Sequence, residues 1–343
     1  MTSATSPSQS KHTVFAKANL DYFAKIAQEY DEPARGGNGD EGKKDSTMAD
    51  LVRKISRDNY QAILQAVEWD PTQTEMLDFA CGTGMTTLLL APHCKSVVGV
   101  DQSEAMLDRF RAKLCKVDND EATTASLASS SQSHSLSSKV DIVHTDLLAD
   151  GDEAATTTSN AKLQGRTFDI IICTMSYHHF AEPEHVTKVL TRSLKPGGKL
   201  VIVDIMGQNG DVTSASHGHA HAHDHEHAHN HAHAHAHAHA HAHAHDHEHA
   251  HAHAHDHHHS NKDSDDPTEA QYNSHRVAHV IAHTSFVLAD FDRFFTAAGL
   301  KRVGEPRFST SMEWPGARGV KDLYVVVGQL PAGSSATVAA PLA

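Results

Sequence analysis

The residues best placed to do chemistry lie in Leu77-Asp78-Phe79-Ala80-Cys81-Gly82-Thr83-Gly84-Met85-Thr86-Thr87. There an apolar run enters a tight turn with two glycines one residue apart, and leaves it as a helix-forming run to Leu90. Glycines in such a turn let the backbone approach a ligand closely, and the helix start behind it presents unpaired N–H groups. The next apolar run, Val97-Val98-Gly99-Val100, ends in Asp101. A carboxylate at that strand tip can accept both hydroxyls of a ribose. A third run ends in Val143-His144-Thr145-Asp146-Leu147, where Asp146 can receive the exocyclic amine of an adenine or cap the following turn. Together these residues predict a nucleoside site.

Two nucleoside ligands compete for this turn. A dinucleotide wants a third glycine in GxGxxG, and Thr87 occupies that position. Asp78, just upstream of the turn, repels a pyrophosphate and suits a ligand that carries an ammonium group. A nucleoside bearing an amino acid, S-adenosyl-L-methionine, fits both features. The predicted cofactor-binding set is Asp78, Ala80, Gly82, Gly84, Asp101, Gln102, Met106, Asp146, Leu147 and Thr174, with Tyr30 joining it by the resemblance given below.

Methyl transfer from a sulfonium is an in-line displacement that mainly requires alignment and exclusion of water, with a base only where the acceptor must lose a proton. Candidate catalytic groups follow the fourth apolar run in Thr174-Met175-Ser176-Tyr177-His178-His179-Phe180. His178 or His179 can act as that base, or either can serve packing and hydrogen bonding. His279 and His283 have the i, i+4 spacing of helical metal ligands but no third ligand beside them, so a substrate-pocket wall is the competing reading. Alternating His and Ala dominate the tract from His217 to His259, which holds 23 of the 33 histidines. No specific metal site is predicted there; the tract offers divalent metals many interchangeable sites and has no apolar face with which to fold.

The elements that position these groups follow from apolar periodicity. Apolar residues at three- and four-residue spacing predict helices over Asn19–Tyr30 and Met48–Glu68. Short runs at Met76–Ala80, Ser96–Val100, Val140–Val143, Phe168–Cys173 and Lys199–Ile205 alternate with helix-forming stretches, as a parallel sheet covered on both faces requires. A helix over Asp290–Ala298 and strands over Lys301–Ser309 and Asp322–Gln329 follow, and the short link between those strands makes them antiparallel. The predicted fold is α/β, a doubly wound seven-stranded and mostly parallel sheet with an antiparallel last strand. Ser-, Ala- and Thr-rich stretches interrupt it at 117–138 and 150–165. The expected organisation is a disordered leader over 1–18, domain segments over 19–206 and 268–330, a disordered His-rich insertion over 207–267, and a disordered tail over 331–343.

With those residues in view, the sequence resembles class I S-adenosylmethionine-dependent methyltransferases, in the small-molecule branch that includes ubiquinone-biosynthesis-like enzymes. Asp78, Gly82 with Gly84, Asp101 and Asp146 match that family's pattern, as do Phe168-Asp169-Ile170-Ile171 and Leu194-Lys195-Pro196-Gly197-Gly198-Lys199-Leu200. Ala80 departs from it, standing where the family's turn has its first glycine. The resemblance implies a Rossmann-like transferase and a cover helix in Tyr22–Asp31, whose Tyr30 closes over the methionine part of the cofactor or merely ends the helix.

The whole chain narrows the partners. Among 343 residues, 29 basic and 43 acidic side chains give a formal charge of −14, which argues against nucleic acid and for a small-molecule substrate. Four cysteines form no CxxC pair, consistent with a reducing compartment. No run of roughly 18 apolar residues or secretory h-region is present, so the cytoplasm is expected, with a Ser/Thr-rich opening that faintly suggests mitochondria. The alternative to an enzyme is a non-catalytic nucleoside-binding or His-rich metal-binding protein on the same fold.

Overall fold

The computed structural model describes residues 7–31, 48–119, 135–148, 163, 165–207, 280–313 and 320–333. The chain runs through α1 (Pro7–Ile26), α2 (Met48–Ala66), β1 (Glu75–Phe79), α3 (Met85–Leu90), β2 (Ser96–Asp101), α4 (Glu104–Asn119), β3 (Val140–His144) and β4 (Phe168–Thr174). It continues with α5 (Pro183–Thr191), β5 (Leu194–Ile205), α6 (Leu288–Ala297), β6 (Lys301–Arg302), β7 (Arg307–Glu313) and β8 (Val320–Gln329). The strands form one sheet in the order β3-β2-β1-β4-β5-β8-β6, with β7 also on β8. β1 to β5 are mutually parallel; β8 is antiparallel to β5, β6 and β7.

Strands apolar at consecutive positions feed two cores, because successive side chains point to opposite faces. Leu77, Val98, Ile171 and Ile202 face one side, where Val186 and Leu190 of α5 and Phe291, Phe294 and Phe295 of α6 cover them. Met76, Val97, Ile170, Val201 and Val325 face the other, under Ile55 and Ile63 of α2, Leu90 of α3 and Leu107, Phe110 and Leu114 of α4. Each large apolar side chain buried in this way is worth about 1.5–3 kcal/mol.

Two expectations change. The sheet has eight strands among the described residues, because Gly304 and Pro306 break the run expected over Lys301–Ser309. β6 and β7 pair with successive parts of β8, so two short strands share one edge. The helix expected from Asn19 starts at Pro7, and residues 7–18 are therefore helical where an unstructured leader was expected. Proline is tolerated at a first helical position, since its missing N–H would be unpaired there anyway. The interruptions at 117–138, 150–165 and 207–267 lie mostly outside the described residues, as do His279 and the histidine tract, although α4 extends to Asn119. No helix among the described residues is long and apolar enough to cross a membrane.

Candidate functional site

A cavity opens at the carboxyl ends of β1 to β4, with α1 and α2 contributing its other wall. Its lining includes Tyr30, Ala80, Gly82, Asp101, Gln102, Met106, Asp146, Leu147, Thr174, His178 and His179. Of the predicted site residues in the described chain, Asp78 and Gly84 do not line it.

Gly84 serves the turn from behind. Its φ is +75°, and a Cβ there would sit 2.2 Å from the Phe110 ring, so any side chain would drive α4 away from the turn. Ala80 holds φ +57°, a left-handed conformation that costs an L-residue roughly 1–2 kcal/mol and explains why glycine suits this position. Asp101 ties the turn to β2: one carboxylate oxygen accepts the Gly82 N–H at 2.8 Å and the other accepts the Ser103 N–H at 2.8 Å. Each oxygen keeps a second lone pair for a ligand hydroxyl. Burial pushes this carboxyl above its ordinary value, against the backbone hydrogen bonds that lower it.

Asp78 lies beneath the turn, 1% exposed. Its Oδ2 accepts the Thr87 hydroxyl at 2.5 Å, while Oδ1 has no partner. Burial, resisted by the Thr87 hydrogen bond and reinforced by the charge of Asp101, pushes its carboxyl up to about 7. Asp146 accepts the Leu148 N–H at 2.9 Å through Oδ1, so it caps the local turn while lining the cavity.

Asp31 fastens the cover segment that follows α1. It is buried and accepts the Thr83 hydroxyl and the Lys113 ammonium, while its carbonyl accepts Arg53 at 2.7 Å. Lys113 also donates to the Thr83 carbonyl at 2.9 Å. Tyr30 lines the cavity as a neutral phenol, its hydroxyl pushed far up by burial and then by Asp31.

Opposite these groups, the turn Tyr177–His179 follows β4 after Met175, whose φ of +55° bends the chain. The His178 ring Nδ1 lies 2.8 Å from Asp204 Oδ1, both side chains buried. His179 Nδ1 donates to the Val280 carbonyl at 2.6 Å, and the Phe23 ring meets its ring edge-on at 5.2 Å. Burial, then the neighbouring His178, pushes the His179 imidazole down to about 3. A base so weak is of little use at neutral pH, so His178 is the stronger catalytic candidate of the two. His283 sits on non-helical chain and does not line this cavity, whereas Val280 and Ile281 do. No group of three potential metal ligands occurs among the described residues.

Comparison with known proteins bears on the region that carries these motifs. Residues 77–202 match the sequence family described as "Methyltransferase domain". The match spans little more than a third of the chain, and it is this region that is similar to a methyltransferase domain. An uncharacterized methyltransferase of Schizosaccharomyces pombe is 32% identical over 138 residues, covering 40% of this chain and 41% of that protein. The chain thus matches about two-fifths of the length of that curated relative. An O-methyltransferase family protein from Burkholderia thailandensis is similar over 83% of this chain and 58% of its own, at 14% identity and TM-score 0.45. Magnesium protoporphyrin IX methyltransferase from Synechocystis, solved with bound S-adenosylmethionine, is similar over 95% and 99%, at 11% identity and TM-score 0.44.

Around this site, the sequence reasoning missed Asp204 and the Asp31–Lys113–Thr83 cluster. Asp204 carried a legible signal, since it closes Val201-Ile202-Val203 as Asp101 closes β2. The cluster carried none, because its members stand 52 and 82 positions from Asp31.

Proposed function

We propose that the protein transfers a methyl group from S-adenosyl-L-methionine to a small organic acceptor by in-line displacement. The observation that supports this most is the doubly anchored Asp101 carboxylate at the strand ends, facing a cavity large enough to draw its lining from α1, α2, three strands and the turn after β3. The cofactor, when bound, supplies a methyl group on a sulfonium that is already a good leaving group.

The chain's own residues divide the work. Asp101 accepts the ribose hydroxyls through the lone pairs that Gly82 and Ser103 leave open. Asp146 accepts the exocyclic amine, and Met106 with Leu147 gives the base an apolar seat. Ala80, Gly82, Gln102 and Thr174 bring backbone close to the ligand. Asp78 acts from below through its field: a buried carboxyl pushed up by burial and by Asp101 is relieved by a cationic ligand, and the unpartnered Asp78 Oδ1 is the cost such a ligand reduces. Gly84 keeps the turn against Phe110. Tyr30 closes the mouth and excludes water.

The net charge of −14 and the apolar side chains in the cavity lining, such as Phe23, Phe180 and Val280, favour a small acceptor over a nucleic acid. Calorimetric titration with S-adenosylmethionine tests the reading: the intact protein binds it, and Asp101→Ala weakens binding by at least tenfold. Binding of a nicotinamide dinucleotide in its place, or equal affinity in the variant, overturns it.

A further inference from the structure

The cavity lining also carries apolar side chains, among them Phe23 of α1, Ile55 of α2, Phe180, Val280 and Ile281, and His178 lines the same cavity. Every hydrogen-bonding atom of His178 but one is committed. Its N–H donates to Asp204 Oδ2 at 3.3 Å, its carbonyl accepts Ala282 at 2.8 Å and His283 at 3.0 Å, and Nδ1 faces Asp204 Oδ1 at 2.8 Å. Nε2 has no partner among the described residues.

Asp204 is the more heavily constrained member of the pair. Its side chain is fully buried, and Oδ1 also accepts the Ile205 N–H at 2.7 Å. Burial alone would push this carboxyl up; the His178 ring, the Ile205 hydrogen bond and His179 more than offset it and leave it below its ordinary value. It is therefore a carboxylate at neutral pH, and the proton in the 2.8 Å contact belongs to Nδ1. The Nε2 lone pair is thereby left as the acceptor of a proton.

The other titratable groups around the pair do not compete. Burial pushes Cys173 and Tyr177 up and His283 down, and with His179 at about 3 all four are uncharged near neutrality. Asp204 is the charge that faces the ring.

A proton acceptor is of least use to a neutral amine, which is a nucleophile as it stands, and of most use to an acceptor that must lose a proton to react, of which a hydroxyl is the most weakly acidic common case beside a thiol. We propose that His178, oriented by Asp204, is the general base for a hydroxyl acceptor carried on a largely apolar, phenol-like molecule. This rests on the methyl-transfer reading above and gives it an acceptor class.

The step balances without a further reactant. The acceptor O–H bond breaks and its proton passes to Nε2. An O–CH3 bond forms as the C–S bond breaks, its electron pair remaining on sulfur. The imidazolium so formed lies against the Asp204 carboxylate, which stabilises it until bulk water takes the proton. His178 is the catalytic residue and Asp204 a positioning residue.

The test has three readouts on the full chain. The first is the nitrogen-15 spectrum of the imidazoles at pH 7.5 without any ligand. It should show His178 protonated on Nδ1 and bare on Nε2, with Asp204→Asn shifting that tautomer. An Nε2–H tautomer overturns the proposal. The second is S-adenosylmethionine affinity by calorimetry, which should stay within threefold of wild type in His178→Gln and Asp204→Asn. If the wild type does not bind the cofactor, the methyl-transfer reading itself falls, and the tautomer result still stands alone.

The third is methyl transfer to a panel of 2-naphthol, 4-alkylphenols, thiophenol and aniline. The phenols should be methylated, with kcat falling at least 100-fold in His178→Gln, as for loss of a general base. Asp204→Asn should move the bend in the kcat–pH profile as well as lower the plateau, which lost packing alone would not do. Phenols left unmethylated, or turned over by His178→Gln within threefold of wild type, overturn it.

Discussion

Asp78 is the residue whose protonation is most closely tied to the fold. Its carboxyl moves from an ordinary 3.8 to about 7 because burial leaves Oδ1 without a partner and Asp101 adds a like charge. The folded state therefore holds a proton that the unfolded chain releases between about pH 4 and pH 7, and in that window stability falls as pH rises. Below pH 4 both states are protonated, and above 7 both are ionised and the penalty is constant, at ~4 kcal/mol as an upper bound. Denaturant titrations of the ligand-free protein from pH 4 to 8 should show wild type losing stability relative to Asp78→Asn across this range. A difference that does not change with pH would refute the linkage. The residue was legible in the sequence as the acid before the glycine turn. Its place beneath the turn was not, because the Thr87 hydroxyl that holds it belongs to the helix that follows, and only the folded turn brings the two together.

At the scale of elements, the sequence announced what local apolar pattern decides. The runs opening at Met76, Ser96, Val140 and Phe168 became strands within one or two residues of the expected ends, since the inner three are buried on both faces and β3, at the edge, buries Val140 and Val143. It was silent where a distant partner decides: β5 begins at Leu194 because Phe168 pairs with it ahead of the irregular stretch before Lys199, and β7 runs on to Glu313 because β8 lies beside it. The same holds for α1, whose closing segment is fixed by α2 through Arg53, by α4 through Lys113 and by the glycine turn through Thr83. Asp31→Asn removes the charge that holds Lys113, whose side chain is only 19% exposed. A partly buried charged hydrogen bond lost in this way costs about 1.5–3 kcal/mol. Amide hydrogen exchange over residues 15–31 should then speed up by at least tenfold, with β1 and β4 unchanged, and cofactor affinity should fall by a similar factor. Unchanged exchange in that segment would show that the cluster does not fasten the cover.

At the scale of the whole molecule, histidine and not the fold sets how charge responds to pH. The chain carries −14 with its 33 histidines neutral, so protonating fewer than half of them reverses the sign, in keeping with a sequence pI of about 6.1. Only 10 of the histidines lie outside the tract, and burial pushes three of those, His93, His179 and His283, down. The 23 histidines from His217 to His259 therefore dominate the titration between pH 7 and pH 5. Long-range attraction follows net charge, so the intact chain should ignore a polyanion such as heparin at pH 7.5 and bind it at pH 5.5 in low salt. A variant lacking residues 213–262 loses these cations along with only five acids and one lysine, and should stay unbound at both pH values. Heparin chromatography of the two proteins side by side measures this. Equal retention at pH 5.5 would move the source of the charge reversal out of the tract and into the folded domain, where the buried imidazoles argue against it.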